Sequence, residues 1–228
     1  AAIVTAVASQ VGDVIRQFDS EIDPHVVYSS ASGFEVDEAT SKSIRDTNRG
    51  TLLVGHVGAL DNNQKGQEFI IDVARQVEKS HPEIQFMLVG DGKDEKTLKA
   101  AAADLRNLTF AGFVENVGDY LAAFDVFILP SNKEGIGSIL LDAMEQSLPI
   151  VASDVGGVPE IVRDGENGIL IQPGRSDQLK ASILRLSAEP NLRSEMGRRG
   201  KLIATSFTSS MMCEKYLNLY RSVLGTTA

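Results

Sequence analysis

Short apolar runs alternate with longer segments of helical periodicity along most of this 228-residue chain, and this alternation constrains the fold more than any other feature. The apolar runs cover residues 51–57, 84–89, 108–111, 126–129, 150–152 and 169–171. Helical segments follow at 67–80, 93–104, 117–124, 138–147, 158–163 and 176–188, and two more close the chain at 191–205 and 210–224. Runs without polar alternation are typical of strands buried on both faces. We therefore predict an α/β fold built on a Rossmann-like, doubly wound parallel sheet.

Charge and cysteine content exclude several classes of protein. The chain has 22 Lys and Arg against 31 Asp and Glu, a net charge of −9, and no basic patch that would attract a nucleic acid. Cys213 is the single cysteine, so neither an internal disulfide nor a thiolate metal site is expected. No apolar run approaches the roughly 18 residues of a membrane span. We expect a cytoplasmic protein that does not bind nucleic acid.

Changes in composition divide the chain into three parts. Residues 1–29 contain a strand at 3–8, a helix near 10–18 and a short strand at 26–29. Residues 30–50 are rich in Ser, Thr, Asn and Asp, and we interpret them as a linker. The regular α/β pattern begins at residue 51 and continues to 228. Because the first residue is Ala rather than Met, we expect the chain to be a fragment of a longer protein.

In a doubly wound sheet, ligands bind beyond the carboxyl ends of the strands, so the residues that follow each strand are informative. Lys65 precedes a glycine and a helix, where its ammonium can meet a phosphate, although for the residue taken alone an exposed loop lysine is the more ordinary interpretation. Gly90 and Gly92 follow the second core strand, but Glu95 occupies the third position of the dinucleotide fingerprint, which therefore fails. Phe113 follows the third strand and can lie against a base or simply pack.

Two glycine-rich segments each lead directly into a helix, one at 134–138 and the other at 154–158. Backbone N–H groups at such helix starts favour anions, and the two segments are expected to meet at one sheet edge. Glu134 precedes the first helix, where it can accept hydrogen bonds from sugar hydroxyls or act only as a favourable acid at a helix N-terminus. Asp142, one turn into that helix, either faces the same cleft or is ordinary surface charge.

Other catalytic motifs are absent from the sequence. It has no Gly-x-x-x-x-Gly-Lys-Ser/Thr phosphate loop, no His-Glu-x-x-His pair and no Gly-x-Ser-x-Gly nucleophile elbow. The three histidines are dispersed, and His56 falls inside a predicted strand. For His56 we expect a buried, hydrogen-bonded ring rather than a metal ligand.

The segments at 133–145, 149–162 and 164–168 resemble the signature of the family 4 retaining glycosyltransferases. The resemblance covers about residues 51–224, with the motifs in the family's order and spacing. It implies the GT-B fold, in which two Rossmann-like domains face each other across a cleft. Residues 51–228 would then be the C-terminal nucleotide-sugar (donor) binding domain, residues 30–50 the linker, and residues 1–29 a remnant of the N-terminal acceptor domain.

The resemblance also assigns roles to single residues. Lys65 would clamp the diphosphate, and Glu134, the first acid of a Glu-x7-Glu motif, would contact the transferred sugar; these two are the expected catalytic residues. Asp142 matches the second acid, which binds the ribose hydroxyls. The remaining donor-binding positions are backbone N–H groups near Ile136, Gly137 and Ser138, and a base site near Gly90, Phe113 and Val114.

Two positions depart from the family pattern. Asp142 is one methylene shorter than the usual Glu, and Ala59 stands where the family usually has an Arg in a Gly-Arg-Leu run, so half of the cationic clamp is missing unless Lys133 replaces it. The resemblance still implies a transferase that moves a sugar from a UDP- or GDP-type nucleotide to an acceptor hydroxyl, in polysaccharide or glycolipid biosynthesis.

Several expectations accompany this assignment. No metal or cofactor is expected. The isolated fragment is expected to be inactive, and any peripheral membrane association is expected through the missing domain only. The alternatives are a non-catalytic nucleotide-sugar binding module and a GT-B-type epimerase.

Overall fold

A six-stranded, entirely parallel sheet forms the centre of the protein. The structure is a computed structural model, and it describes residues 3–48 and 51–225. Its strands are β3 (Leu52–Val57), β4 (Ile84–Val89), β5 (Leu108–Gly112), β6 (Val126–Leu129), β7 (Ile150–Ser153) and β8 (Gly168–Ile171). They lie in the order β5-β4-β3-β6-β7-β8, which reverses direction once, between β3 and β6. The predicted Rossmann-like, doubly wound α/β sheet is confirmed.

Helices cover both faces of this sheet, and each face has its own apolar core. The helices that connect or follow the core strands are α3 (Asn62–Lys65), α4 (Gln67–Val77), α5 (Glu95–Ala101), α6 (Val117–Ala123), α7 (Ile139–Glu145), α8 (Val158–Ile161), α9 (Ser176–Ala188) and α10 (Pro190–Ala204). Alternate residues of β3 point to opposite cores: Val54 packs with α4 and α9, whereas Leu53 packs with α7. This burial on both faces explains the uninterrupted apolar runs.

The segment predicted as a linker contains a helix that its composition does not suggest. Helix α2 (Glu38–Thr47) begins where the Asp37 carboxylate accepts from the N–H groups of Ala39 and Thr40. Near its other end, Arg45 Nη1 lies 2.7 Å from Asp125 Oδ2, and the same carboxylate oxygen accepts from Leu53 N. Polar contacts to the main domain therefore fix a helix that has few apolar anchors. Residues 1–2, 49–50 and 226–228, which fall within the predicted N-terminal remnant, linker and donor domain, lie outside the described residues.

The N-terminal residues form a small parallel pair separate from the main sheet. Strands β1 (Thr5–Ala6) and β2 (His25–Val26) pair side by side, and α1 (Ser9–Phe18) connects them. Both strands are shorter than the apolar pattern predicts. The last helix, α11 (Ser209–Leu224), follows α10. Within the part of the chain that is described, no helix is both long and apolar enough to cross a membrane.

The single reversal of strand order determines where a cleft can form. The helices that follow β3 and β6 cover opposite faces of the sheet, so the loops after these two strands flank the switch point at its carboxyl edge. The loop after β3 spans residues 58–61 and continues into α3, and the loop after β6 spans residues 130–138. Lys65 and Glu134 were predicted to act together, and these two connections carry them.

Candidate functional site

The connections after β3 and β6 are held against each other by backbone contacts. Asn132 N donates to the carbonyl oxygen of Gln64 at 2.7 Å, and Lys133 N donates to the same oxygen at 3.2 Å. Gly66 adopts φ +66°, and a Cβ at this position would lie 2.3 Å from the carbonyl oxygen of Pro130. Only glycine permits this approach, which sets the distance between the two sides of the cleft.

Lys65 and Glu134 meet across the switch point. Lys65 Nζ lies 2.5 Å from Glu134 Oε1, with 20% of the lysine side chain and 8% of the glutamate side chain exposed. Ser131, which is buried, donates from Oγ to the same carboxylate oxygen at 2.9 Å. Partial burial strengthens such a pair relative to an ion pair on the open surface. A cation beside a hydrogen-bond acceptor can bind a ligand that carries both an anionic group and hydroxyl groups.

The two glycine-rich segments lie in direct contact, as predicted. Gly157 N donates to the carbonyl oxygen of Gly135 at 2.6 Å. Gly156 has φ +53°, and a Cβ there would come within 2.0 Å of the carbonyl oxygen of Glu134. The 154–158 segment therefore supports the loop that carries Glu134, and both segments belong to one site.

Helix α7 begins directly after the loop that carries Glu134, and the backbone N–H groups at its start are a candidate anion site. Ile136 is buried in the core, so only its backbone is available. Gly137 has φ +70°, and Ser138 makes no side-chain cap. Among the described residues, the N–H groups of Ile136, Gly137 and Ser138 have no recorded acceptor. Helix α7 has only seven residues, so free N–H groups matter here more than a large helix dipole.

The predicted base site lies beyond β4 and β5. Gly90 N donates to the carbonyl oxygen of Gly112 at 2.8 Å, and a Cβ on Gly90, whose φ is +127°, would lie 2.1 Å from the oxygen of Gly58. The Phe113 ring is 72% exposed, whereas Val114 packs against the second core. An exposed ring next to a tightly packed glycine turn leaves a flat apolar surface open to a ligand.

Asp142 is engaged by the N-terminal part of the chain. Its Oδ1 accepts from Ser32 N at 2.5 Å, and its Oδ2 lies 3.3 Å from Ser32 Oγ. Asp142 is only 4% exposed, and this burial raises the pKa of its carboxyl, an effect that the Ser32 hydrogen bonds oppose. Its two oxygens therefore already have partners in the absence of a ligand.

Two fully buried polar residues lie near the lysine. The His56 ring is hydrogen-bonded rather than free, as predicted, with Nδ1 3.1 Å from the carbonyl oxygen of Ile128. Gln67, which the sequence did not suggest as functional, donates from Nε2 to the carbonyl oxygen of Ala59 at 2.8 Å. Burial lowers the pKa of His56 to about 4, and the nearby charge of Lys65 adds to this effect. The ring is therefore neutral at ordinary pH.

Glu160, on α8, ties the N-terminal residues to the second glycine-rich segment. Its Oε1 accepts from the N–H groups of Ser9 at 2.8 Å and Gln10 at 3.3 Å, and its Oε2 accepts from Ser9 Oγ and from the Tyr28 hydroxyl at 2.7 Å. A carboxylate at the first turn of α1 stabilises that helix. This contact between distant parts of the chain has no signal in the sequence.

The fold and the cleft define a doubly wound α/β protein whose candidate site lies at the switch point of its sheet. The family model described as "Glycosyl transferases group 1" matches residues 51–189. Because this match covers more than half of the chain, the protein belongs to the glycosyl transferase group 1 family. This agrees with the glycosyltransferase resemblance that the motifs carry.

Known proteins support the same family. The chain is 30% identical over 178 residues to alpha-D-kanosaminyltransferase of Streptomyces kanamyceticus, an alignment that covers 75% of this chain and 45% of that relative. The chain thus spans about half the length of the curated relatives it matches.

Solved structures share the fold. HepE from Anabaena, in complex with UDP and glucose, superimposes with a TM-score of 0.88 at 24% identity, covering 97% of this chain and 64% of HepE. The C-terminal domain of LpcC, a glycosyl transferase group 1 protein from Francisella tularensis, superimposes with a TM-score of 0.65 at 25% identity. That match covers 78% of this chain and 96% of the LpcC domain.

Proposed function

We propose that this chain is the donor-binding half of a retaining glycosyltransferase, which transfers a sugar from a UDP- or GDP-type nucleotide to an acceptor hydroxyl. The observation that carries the proposal is the Lys65–Glu134 pair, 2.5 Å apart at the switch point of the sheet. A lysine suits a diphosphate, and a carboxylate suits sugar hydroxyls, because each offers only donors or only acceptors. Without a ligand the two side chains bond to each other, and a bound sugar nucleotide would replace each partner with its own diphosphate or hydroxyl groups.

In the proposed mechanism, the protein stabilises charge that develops on the departing nucleotide. As the bond between sugar and diphosphate breaks, negative charge grows on the diphosphate oxygens, and the Lys65 ammonium and the N–H groups around Gly137 face that charge. Groups placed in this way commonly contribute a few kcal/mol each to lowering a barrier. Glu134, held by Ser131, accepts from the sugar hydroxyls and fixes the orientation of the sugar.

The nucleoside end of the donor is assigned to the edge of the sheet beyond β4 and β5. The exposed Phe113 ring, with Gly90 and Val114 beside it, would hold the base. Asp142 would contact the ribose only after exchanging its Ser32 partners, because both of its oxygens are already engaged. We therefore expect ribose binding to displace Ser32 from this carboxylate.

The division into domains remains part of the proposal. Residues 51–228 would bind the donor, and residues 1–29 would continue into an acceptor domain. The match to nearly the whole LpcC C-terminal domain supports this assignment, as does the partial coverage of longer relatives. Transfer would then require the longer protein, whereas donor binding would need this chain only.

A non-catalytic nucleotide-sugar binding module is the second candidate, and the residue that favours it is Ala59. In the resembled family an Arg at this position would complete the cationic clamp. Here Ala59 is exposed and brings no charge, and Lys133, which is also exposed, lies in the loop after β6. A site that binds the diphosphate without fully stabilising its departure would bind donors but transfer poorly.

Two measurements separate these functions. Calorimetric titration should show that this chain binds UDP and UDP-hexose, or GDP and GDP-hexose. Titration with a nicotinamide dinucleotide should show no binding. The longer parent protein should hydrolyse or transfer the bound donor slowly, whereas this chain should not. Binding without turnover by the parent protein would identify a binding module, and absence of nucleotide binding would refute both candidates.

A further inference from the structure

A buried pair of polar side chains lies near Lys65, whose charge acts on one of them. His56, in β3, and Gln67, the first residue of α4, are both fully buried, and His56 Nε2 lies 3.3 Å from Gln67 Nε2. Neither has a role in the proposed chemistry. Buried polar groups are costly unless their hydrogen bonds are satisfied, so the pattern of donors and acceptors here is informative.

Only one arrangement of hydrogens satisfies this pair. The carbonyl oxygen of Ala59 can only accept, so the nitrogen of the Gln67 amide must face it, and the amide cannot be flipped. The second amide hydrogen then points to His56 Nε2, which must carry a lone pair. The proton of His56 therefore sits on Nδ1, where it is donated to the carbonyl oxygen of Ile128. An imidazolium would instead set an N–H of His56 against an N–H of Gln67.

The same amide has one group without a partner. Gln67 Oε1 is buried and accepts from no donor among the described residues. A buried oxygen without a hydrogen-bond donor is unfavourable. In this orientation Nε2 donates twice and Oε1 accepts nothing. The hydrogen bonds to Ala59 and His56 therefore determine how the Gln67 amide is oriented.

This hydrogen-bonded chain joins strand β6 to the loop that follows β3. It starts at Ile128 in β6, passes through His56 and Gln67, and ends at Ala59 in the loop after β3. A Cβ built on Gly58 would lie 3.6 Å from His56 Nε2 and 3.8 Å from Lys65 Cε, so both side chains border the space beside Gly58. Because the His56 ring is uncharged, the positive charge here comes from Lys65 and not from the histidine.

We propose that His56 and Gln67 are positioning residues, a neutral pair that holds the Ala59–Lys65 segment against β6 and so aims the Lys65 ammonium at the donor diphosphate. The inference rests on the proposed function for the identity of the anion. The position that the pair gives to Lys65, by contrast, does not depend on which anion binds. A pKa of about 4 for His56 agrees with the neutral ring that the geometry requires.

The first test needs neither a variant nor a ligand. The chain has three histidines, so long-range ¹H–¹⁵N correlation spectra resolve the ring of His56 from those of His25 and His81. At pH 7 we expect the neutral form with the proton on Nδ1. A ring protonated on Nε2, or on both nitrogens, would overturn the proposal.

The second test removes the donors of the amide. Gln67→Met keeps the length of the side chain without its hydrogen bonds, and Gln76→Met, on the exposed side of the same helix, is the matched control. We expect Gln67→Met to weaken UDP binding roughly tenfold, as for the loss of about 1.4 kcal/mol, and to leave uridine binding unchanged. Equal weakening of both ligands would show a merely structural role and overturn the proposal, as would no change.

A third measurement separates failure of this inference from failure of the proposed function. Competitive acetylation of the folded chain, followed by mass spectrometry, reports the accessibility of Lys65 relative to Lys99 without a nucleotide. Gln67→Met should raise the relative rate for Lys65 several-fold, whereas Gln76→Met should not. If UDP and GDP fail to bind but this rise occurs, the positioning role stands and the nucleotide assignment fails; an unchanged rate overturns the positioning role itself.

Discussion

The backbone N–H of Gly157 lies 2.6 Å from the carbonyl oxygen of Gly135, and this hydrogen bond joins the two glycine-rich segments of the site. The segments follow different strands, β6 and β7, yet they form one surface because these strands are neighbours in the sheet. Glu134 precedes Gly135 directly. The position of its carboxylate therefore depends on how closely the second segment packs below it.

A side chain on Gly156 should break this packing. Its Cβ would lie 2.0 Å from the carbonyl oxygen of Glu134, whereas a Cβ on Gly165, which also has positive φ, would meet nothing within 4 Å. We expect Gly165→Ala to cost about 1 kcal/mol through backbone strain alone. Gly156→Ala should cost about 2 kcal/mol more. Urea denaturation measures both, and equal costs would mean that the close contact is not maintained.

Loss of the Glu160 carboxylate should destabilise helix α1 and its contact with α8. Glu160→Ala leaves the N–H groups of Ser9 and Gln10 and the Tyr28 hydroxyl without their acceptor, a loss of about 1–3 kcal/mol. Hydrogen exchange should accelerate in α1 and remain unchanged in α4. Glu166→Ala, at an exposed ion pair, is the control. Unchanged exchange in α1 would contradict the anchoring role.

The same contact predicts a pH dependence. Partial burial raises the pKa of Glu160, but hydrogen bonds from Tyr28 and Ser9 outweigh it and hold the pKa below its ordinary value of 4.5. A carboxyl with a lowered pKa stabilises the fold fully above that ordinary value and loses this contribution as the pH falls through the folded-state pKa. The stability difference between wild type and Glu160→Ala should therefore be constant near pH 7 and shrink below pH 4.5. A difference that grows in acid would contradict the assignment.

Restoring a cation at position 59 tests the incomplete clamp. Ala59 is exposed, so Ala59→Arg should be tolerated by the fold. We expect UDP affinity to rise about tenfold at low salt and less at high salt, because the new interaction is electrostatic and screened. Ala59→Gln, which is long but uncharged, is the matched control. An equal gain for Gln, or no gain for Arg, would mean that another group already fills this role.

Much of the framework could be predicted from the sequence because it follows from local patterns. Residues buried on both sides must be apolar, so the bounds of β4 and β6 were predicted without error and those of β3 to within one residue. Glycines before helices indicated the two segments that meet in the structure. The strand order was not predicted; the structure places β3 beside β6, and this adjacency brings Lys65 and Glu134 together.

The remaining features depend on contacts between distant residues. Helix α2 is stabilised by Asp37 and by the Arg45–Asp125 pair, and neither contact produces an apolar periodicity. The bond between Ser32 and Asp142 joins residues 110 positions apart, so nothing near Asp142 indicates that its carboxylate is occupied. Gln67 has an ordinary sequence context, and its role is apparent only when both of its partners are located.

The most direct test of the account compares a bare nucleotide with its sugar derivative in two variants. Lys65→Met should weaken UDP and UDP-hexose, or the GDP pair if that binds, by a similar factor of roughly 10 to 100, the loss of a hydrogen bond to a charged group. Glu134→Gln should weaken only the sugar nucleotide, and Lys99→Met, at an exposed ion pair on α5, should change neither. Equal effects of Glu134→Gln on both ligands, or no effect of Lys65→Met on either, would contradict the claim that Lys65 and Glu134 bind one sugar nucleotide between them.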